Sequence, residues 1–149
     1  MSTKEETVEV AVPVRTAYDQ WTQFETFPNF MSGVDSITQV DDKRNHWVTS
    51  IAGVTREFDT EIVDQVPDQR IAWQSVDGPS HRGVVTFDRL GERQTKVTVV
   101  LDFEPEGFIE QAGDKIGVVD RQVKADLERF KEFIEGRGGE TGAYRGEIH

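Results

Sequence analysis

Arg56 carries the most chemical promise in the chain. It shares its parity with Val54, Phe58 and Ile62 along an alternating stretch, so its side chain is expected to point inward with them. An inward guanidinium needs a partner, because an unpaired buried charge costs several kcal/mol. That partner is either a ligand oxygen (carboxylate, carbonyl or quinone) or a structural carboxylate. Alternatively the side chain snorkels to the sheet rim. The last two are the commoner fates of such a residue. His81 follows the turn Asp77-Gly78-Pro79-Ser80. An imidazole at a cavity mouth would move protons near neutral pH; beside a turn it is more often a surface group. Tyr18 offers a phenol that would reach either a pocket rim or water. Arg56 with His81 or Tyr18 is the best set available for polarising a carbonyl beside an acid or base, and it is thin. Ser75, Thr49 and Thr60 share the inward parity and would bond either a ligand or one another across strands.

Other chemistries are poorly supplied. Cysteine is absent and the three histidines are scattered at positions 46, 81 and 149, so neither a metal nor a cofactor is expected. His46, one residue before Trp47, is expected on the polar face. The run Gly136-Arg137-Gly138-Gly139-Glu140-Thr141-Gly142 misses the dinucleotide glycine spacing and follows a helical pattern rather than a strand, which rejects a phosphate loop.

The elements that must position these groups show in the periodicity. Val8, Val10 and Val12 alternate as a strand, and Pro13 ends it. Val14, Ala17, Tyr18 and Trp21 then fall at helical spacing. Phe24, Phe27, Phe30 and Met31 follow around Pro28 as a short broken helix; with Trp21 they form either a hydrophobic gate or staples onto the sheet. Six more strands are expected at Val34–Val40, His46–Ile51, Val54–Val66, Arg70–Val76, Gly83–Arg89 and Lys96–Glu104. Their short links favour antiparallel neighbours. From Phe108 to Glu135, Ile109, Ala112, Ile116, Val119, Val123, Leu127, Phe130 and Ile134 recur at three or four, a helix with a soft, bent start at Gly113 and Gly117. The polar, glycine-rich segment 138–149 is expected to be a flexible tail behind a domain of residues 1–137.

The composition narrows the function classes. The chain has 149 residues, the size of one domain. Its formal charge of −11 argues against a nucleic-acid partner. No run approaches ~18 apolar residues, so no stable membrane insertion is expected. The start Met-Ser-Thr-Lys-Glu-Glu lacks the apolar core of a signal peptide, and a cytoplasmic location is expected. Oligomeric state stays open.

A twisted seven-stranded sheet curls. A helix laid in its concavity leaves space where the sheet curves away, which makes a pocket for a hydrophobic small molecule. The competing outcome is a solid core, with Trp47, Trp73, Phe58, Phe87 and Phe103 packing the space shut.

The order of these elements resembles the START/polyketide-cyclase (SRPBCC) superfamily. The stretches Trp21-Thr22-Gln23-Phe24-Glu25-Thr26-Phe27-Pro28, Arg70-Ile71-Ala72-Trp73 and Asp126-Leu127-Glu128-Arg129-Phe130-Lys131 carry the resemblance, which covers about residues 5–137. It is nearest to bacterial cyclase/dehydrase-type proteins related to coenzyme Q-binding START domains. It implies an α+β helix-grip fold: a curved seven-stranded antiparallel sheet around a long C-terminal helix, with two short helices after the first strand. It also strengthens the expectation of a pocket, with Phe24, Phe27, Phe30, Met31, Trp47, Arg56, Phe58, Trp73, Ser75, Phe87, Val99, Leu101, Ile116, Val119 and Val123 as its binding residues.

Three functions follow as expectations. The first is binding of an isoprenoid or quinone, a lipid or a polyketide-like molecule. The second, implied by the resemblance, is an aromatase/cyclase that closes a poly-β-ketone by aldol chemistry and dehydration. The third is a protein-interaction or chaperone-like module docking through the acidic surface. The motifs specify the fold far better than the ligand.

Overall fold

The computed structural model describes residues 2–78, 80–104, 115–137, 139–146 and 148. Seven strands run in chain order as β1 (Ser2–Val10), β2 (Val34–Gln39), β3 (Arg44–Ile51), β4 (Val54–Val66), β5 (Arg70–Ser75), β6 (His81–Gly91) and β7 (Gln94–Phe103). They form one antiparallel sheet in the order β1-β7-β6-β5-β4-β3-β2. Only β1 leaves sequence order, crossing to β7 with Val8 opposite Val97. Register shifts at Val34/Ser36, Ile62/Asp64 and Arg89/Gly91 help bend the sheet into a half-barrel. The β3–β4 hairpin turns on Ala52 and Gly53, with φ of 53° and 82°, the left-handed pair that a two-residue hairpin uses.

Two helices cover the concave face. In α1 (Val14–Trp21) the carbonyl of Pro13 accepts the first helical bond from Ala17, 3.1 Å away. A 3₁₀ helix follows at Phe24–Asn29, tightened around Pro28. The terminal helix α2 spans Lys115–Arg137. Residues 108–114, where the expected helix begins and where the bend at Gly113 was placed, lie outside the described residues.

The two ends of the sheet–helix sandwich pack differently. At one end the rings interlock, edge to face or tilted. Trp21 meets Phe130 at 4.9 Å between centroids, Phe30 meets Phe130 at 5.4 Å, and Tyr18 meets Phe87 at 5.3 Å. Phe130, Ile134, Tyr18 and Val97 are fully buried there. At the other end a smaller cluster of Ile51, Phe58, Phe103 and Val119 stands beneath the start of α2.

Residues 139–146 and 148 are the described part of the segment expected to be a flexible tail. They dock along α1 and the end of β4. Thr141 N donates to Gln20 Oε1 (2.8 Å) and Tyr144 N to Thr22 Oγ1 (3.1 Å). Ile148 is buried and pairs with Gln65 through two backbone bonds, of 2.6 and 2.9 Å. Arg145 reaches Asp19 at 2.5 Å and Asp68 at 2.7 Å, with its guanidinium over the Tyr18 ring. Polar residues dock here because α1 and the Thr22 that caps it present a buried carboxylate, Asp19, and two buried polar side chains, Gln20 and Thr22, that need partners.

On the outer face His46 bonds Asp59 (2.6 Å) and Glu57 (3.2 Å), and these carboxylates raise its pKa above 6.5, Asp59 contributing most. A raised histidine pKa adds stability that is complete below the unfolded value and is lost as pH rises through the folded one. The ring is 39% exposed, so the effect is held to about half a kcal/mol. Urea unfolding should show His46→Gln less stable than wild type near pH 6, with the gap closing by pH 9. A gap that widens with pH would contradict the pairing.

Candidate functional site

Between the smaller cluster and the interlocked rings, sheet and α2 part around a cavity of about 140 Å³. Trp47, Phe58 and Trp73 stand along its wall on neighbouring strands instead of filling it. Trp47 lies 6.0 Å from Phe58 and 6.4 Å from Trp73, with the planes within 17° and 19° of parallel. Trp47 Nε1 donates to Thr60 Oγ1 at 2.8 Å, which fixes the indole on the sheet. Val99 and Leu101 of β7 and Val119 and Val123 of α2 supply aliphatic wall. Phe24, Phe27 and Met31, with Trp21, close the side nearest the 3₁₀ helix.

Few polar groups reach this space. His81 lies at the β6 end, its ring centroid 4.9 Å from that of Phe58 in an edge-to-face contact, and its backbone N–H donates to Ser75 Oγ at 3.1 Å. Thr49 looks in from β3. On α2, Asp126 and Gln122 line the opposite side. Asp126 is buried and accepts bonds from Ser32 N (3.0 Å), Gly33 N (3.4 Å), Gln122 Nε2 (3.0 Å) and Arg129 Nη1 (3.0 Å). Burial raises its pKa despite these donors. The carboxylate thereby ties α2 to the corner that leads from the 3₁₀ helix into β2.

Several expected site residues stand elsewhere. Arg56 pairs across the ladder with Thr49, as its parity requires, yet it is not on the cavity wall; its guanidinium bonds the Thr55 carbonyl at 3.2 Å. Tyr18 is buried among the interlocked rings and its hydroxyl accepts from Gln65 Nε2 at 3.1 Å. Arg56, His81 and Tyr18 are therefore not brought together around one point. Phe30 and Phe87 pack into the solid end, against Phe133 and Tyr18. Ser75 serves the turn before β6. The side chain of Ile116 lies outside those described. Conversely, Gly33, Val34, Ile51, Gln122, Asp126 and Leu127 line the cavity without having been singled out. A signal existed for Asp126: it sits three residues after Val123 and four before Phe130, a carboxylate on the apolar face of its helix. Among the described residues, no three His, Cys, Asp or Glu side chains group as a metal site, and no helix is long and apolar enough to cross a membrane.

A concave sheet, a terminal helix and a hollow between them invite comparison with known families. Residues 10–134 match the model of the family described as polyketide cyclase/dehydrase and lipid transport. The chain belongs to this family. An uncharacterised 17.2 kDa protein from the melC2–rnhH intergenic region of Streptomyces lincolnensis is 58% identical over 149 residues, 99% of both chains. Among solved structures, a START superfamily protein from Mycobacterium smegmatis aligns with a TM-score of 0.68 at 21% identity, over 91% of this chain and 95% of that one. The Zhui aromatase/cyclase from Streptomyces sp. R1128 aligns at 0.75 and 15% identity, over 96% and 99%. These two likenesses are of fold. They match the cyclase/dehydrase family's curved sheet and terminal helix, the helix-grip arrangement expected from the sequence.

Proposed function

We propose that this protein binds a hydrophobic small molecule in the cavity between the sheet and α2, an isoprenoid, lipid or polyketide-like compound. The cavity itself carries the reading: about 140 Å³ walled by aromatic and aliphatic side chains, with His81, Thr49, Gln122 and Asp126 as its polar side chains among the described residues. Burying apolar ligand surface against such walls contributes roughly 25 cal/mol per Å², and one or two polar groups suffice to orient it. Phe24, Phe27 and Met31 would form the gate, with Trp47, Phe58, Trp73, Val99, Leu101, Val119 and Val123 as the contact surface.

Uptake of 1-aminonaphthalene, a two-ring fluorophore suited to a cavity of about 140 Å³, followed by its fluorescence, tests this. Wild type should bind it, and Val123→Phe, which grows into the hollow from a half-buried position, should stay folded and lose about tenfold or more in affinity. No uptake by wild type, or undiminished uptake by the folded variant, would reject the site.

A second reading, cyclisation of a poly-β-ketone, is favoured by one observation: an imidazole and a buried carboxyl of raised pKa line the same space. His81→Ala and Asp126→Asn would then each change the product of a reconstituted synthase. An unchanged product with both variants folded would leave binding alone.

A further inference from the structure

Gly83 stands directly opposite Trp73 in the β5–β6 ladder. Its backbone is not left-handed, so conformation does not demand glycine there. Space does: a Cβ at Gly83 would collide with Trp73 Cζ2 and lie 2.7 Å from Cη2 and 2.8 Å from Cε2. The indole therefore lies flat over bare β6 backbone, an aromatic side chain covering its cross-strand glycine. In this position Trp73 lines up with Trp47, 6.4 Å away and within 19° of parallel, and through Trp47 with Phe58. With Trp47 held by Thr60, three neighbouring rings share nearly one orientation on the cavity wall.

We infer that Gly83 is a specificity-determining residue: by seating Trp73 in line with Trp47 and Phe58, it makes the cavity select a planar aromatic ligand of one or two rings over a flexible chain of the same size. This rests on the cavity being the binding site. Its volume of about 140 Å³ agrees, since an apolar protein cavity of about 150 Å³ is known to hold benzene. A flat ring gains offset stacking on such a wall and surrenders no internal rotation, whereas an alkyl chain must freeze its rotatable bonds to fit.

Isothermal titration of 2-naphthol and n-decanol tests the inference. The two alcohols match in carbon count and in their single hydroxyl, and n-decanol is the more hydrophobic, so partition alone favours the chain. Wild type should bind 2-naphthol about tenfold or more tightly than n-decanol. Gly83→Ala, which lifts the indole into the hollow, should lower 2-naphthol affinity about tenfold and n-decanol affinity by less than about threefold. Gly83→Ala with Trp73→Phe, where a smaller ring makes room for the new methyl, should recover part of the 2-naphthol affinity. Equal or tighter binding of n-decanol by wild type overturns the inference and leaves the cavity as a binding site. An unchanged preference in folded Gly83→Ala overturns the role of Gly83. Failure of both alcohols to bind wild type removes the cavity reading as well. Should the single variant not fold, the wild-type preference and the double variant still decide.

Discussion

Arg145→Ala should destabilise the protein by about 3 kcal/mol at pH 7, although the residue lies near the end of a polar, glycine-rich segment. Its guanidinium bonds Asp19 at 2.5 Å, and the Asp19 side chain is only 3% exposed. Removing one partner of a buried pair leaves the other charge uncompensated, at a cost of roughly 3–5 kcal/mol. The lower end applies because Arg15 remains 3.6 Å from the same carboxylate, from an exposed position. The contact with Asp68 and the cation over Tyr18 are lost too. The pH dependence has a definite sign. Burial raises the pKa of Asp19 above 3.8 even with Arg145 present, and losing the cation raises it further. A carboxylate with a raised folded pKa takes up protons on folding, so stability increases as pH falls toward the unfolded value. Urea unfolding at pH 7 and pH 5 should therefore show a deficit that shrinks in acid. A loss under about 0.5 kcal/mol at pH 7, the level of an exposed pair, would mean that the segment does not dock.

Phe130→Ala should cost about 4 kcal/mol. The ring is fully buried, with Trp21 packed edge to face and Phe30 tilted against it. Deleting it removes transfer free energy and opens a hole that locked neighbours cannot close, the circumstance in which Phe→Ala changes reach roughly 3–5 kcal/mol. Seven residues earlier on the same helix, Val123→Ala should cost only about 1 kcal/mol, because Val123 already borders empty space. Chemical denaturation of the two variants compares the closed and hollow ends of one sandwich. Similar costs at both positions would mean that the sandwich is packed evenly along its length.

Much of the fold could be read from residue order, for a physical reason. Alternation with period two survives only where one face is dry, and β4 spans Val54–Val66, the limits its alternation sets. Boundaries slipped where ladder bonds extend beyond the apolar pattern: β6 starts at His81 instead of Gly83 because His81 still pairs with Phe103. The docking of residues 139–146 and 148 could not be read, since Asp19 and Gln20, the α1 partners of Arg145 and Thr141, are more than a hundred positions away. Polarity looked like solvation where it was pairing. Parity placed the backbone of Arg56 on the inner side of the sheet but could not say where a long side chain ends. Asp126 was legible as a position, a carboxylate in step with Val123 and Phe130, but its donors Ser32 and Gly33 lie more than ninety positions away. Trp73 and Gly83 were visible only singly; their register across β5 and β6 turns them into one feature.

The account depends on the sheet and α2 enclosing more space than their side chains occupy, and on a small apolar molecule reaching it. A crystal structure of the protein soaked with 1-aminonaphthalene addresses both at once. Density for the naphthyl ring among Trp47, Phe58, Val119 and Val123 is the expected result. Density found only on the outer surface, with those four side chains closed upon one another, would contradict it.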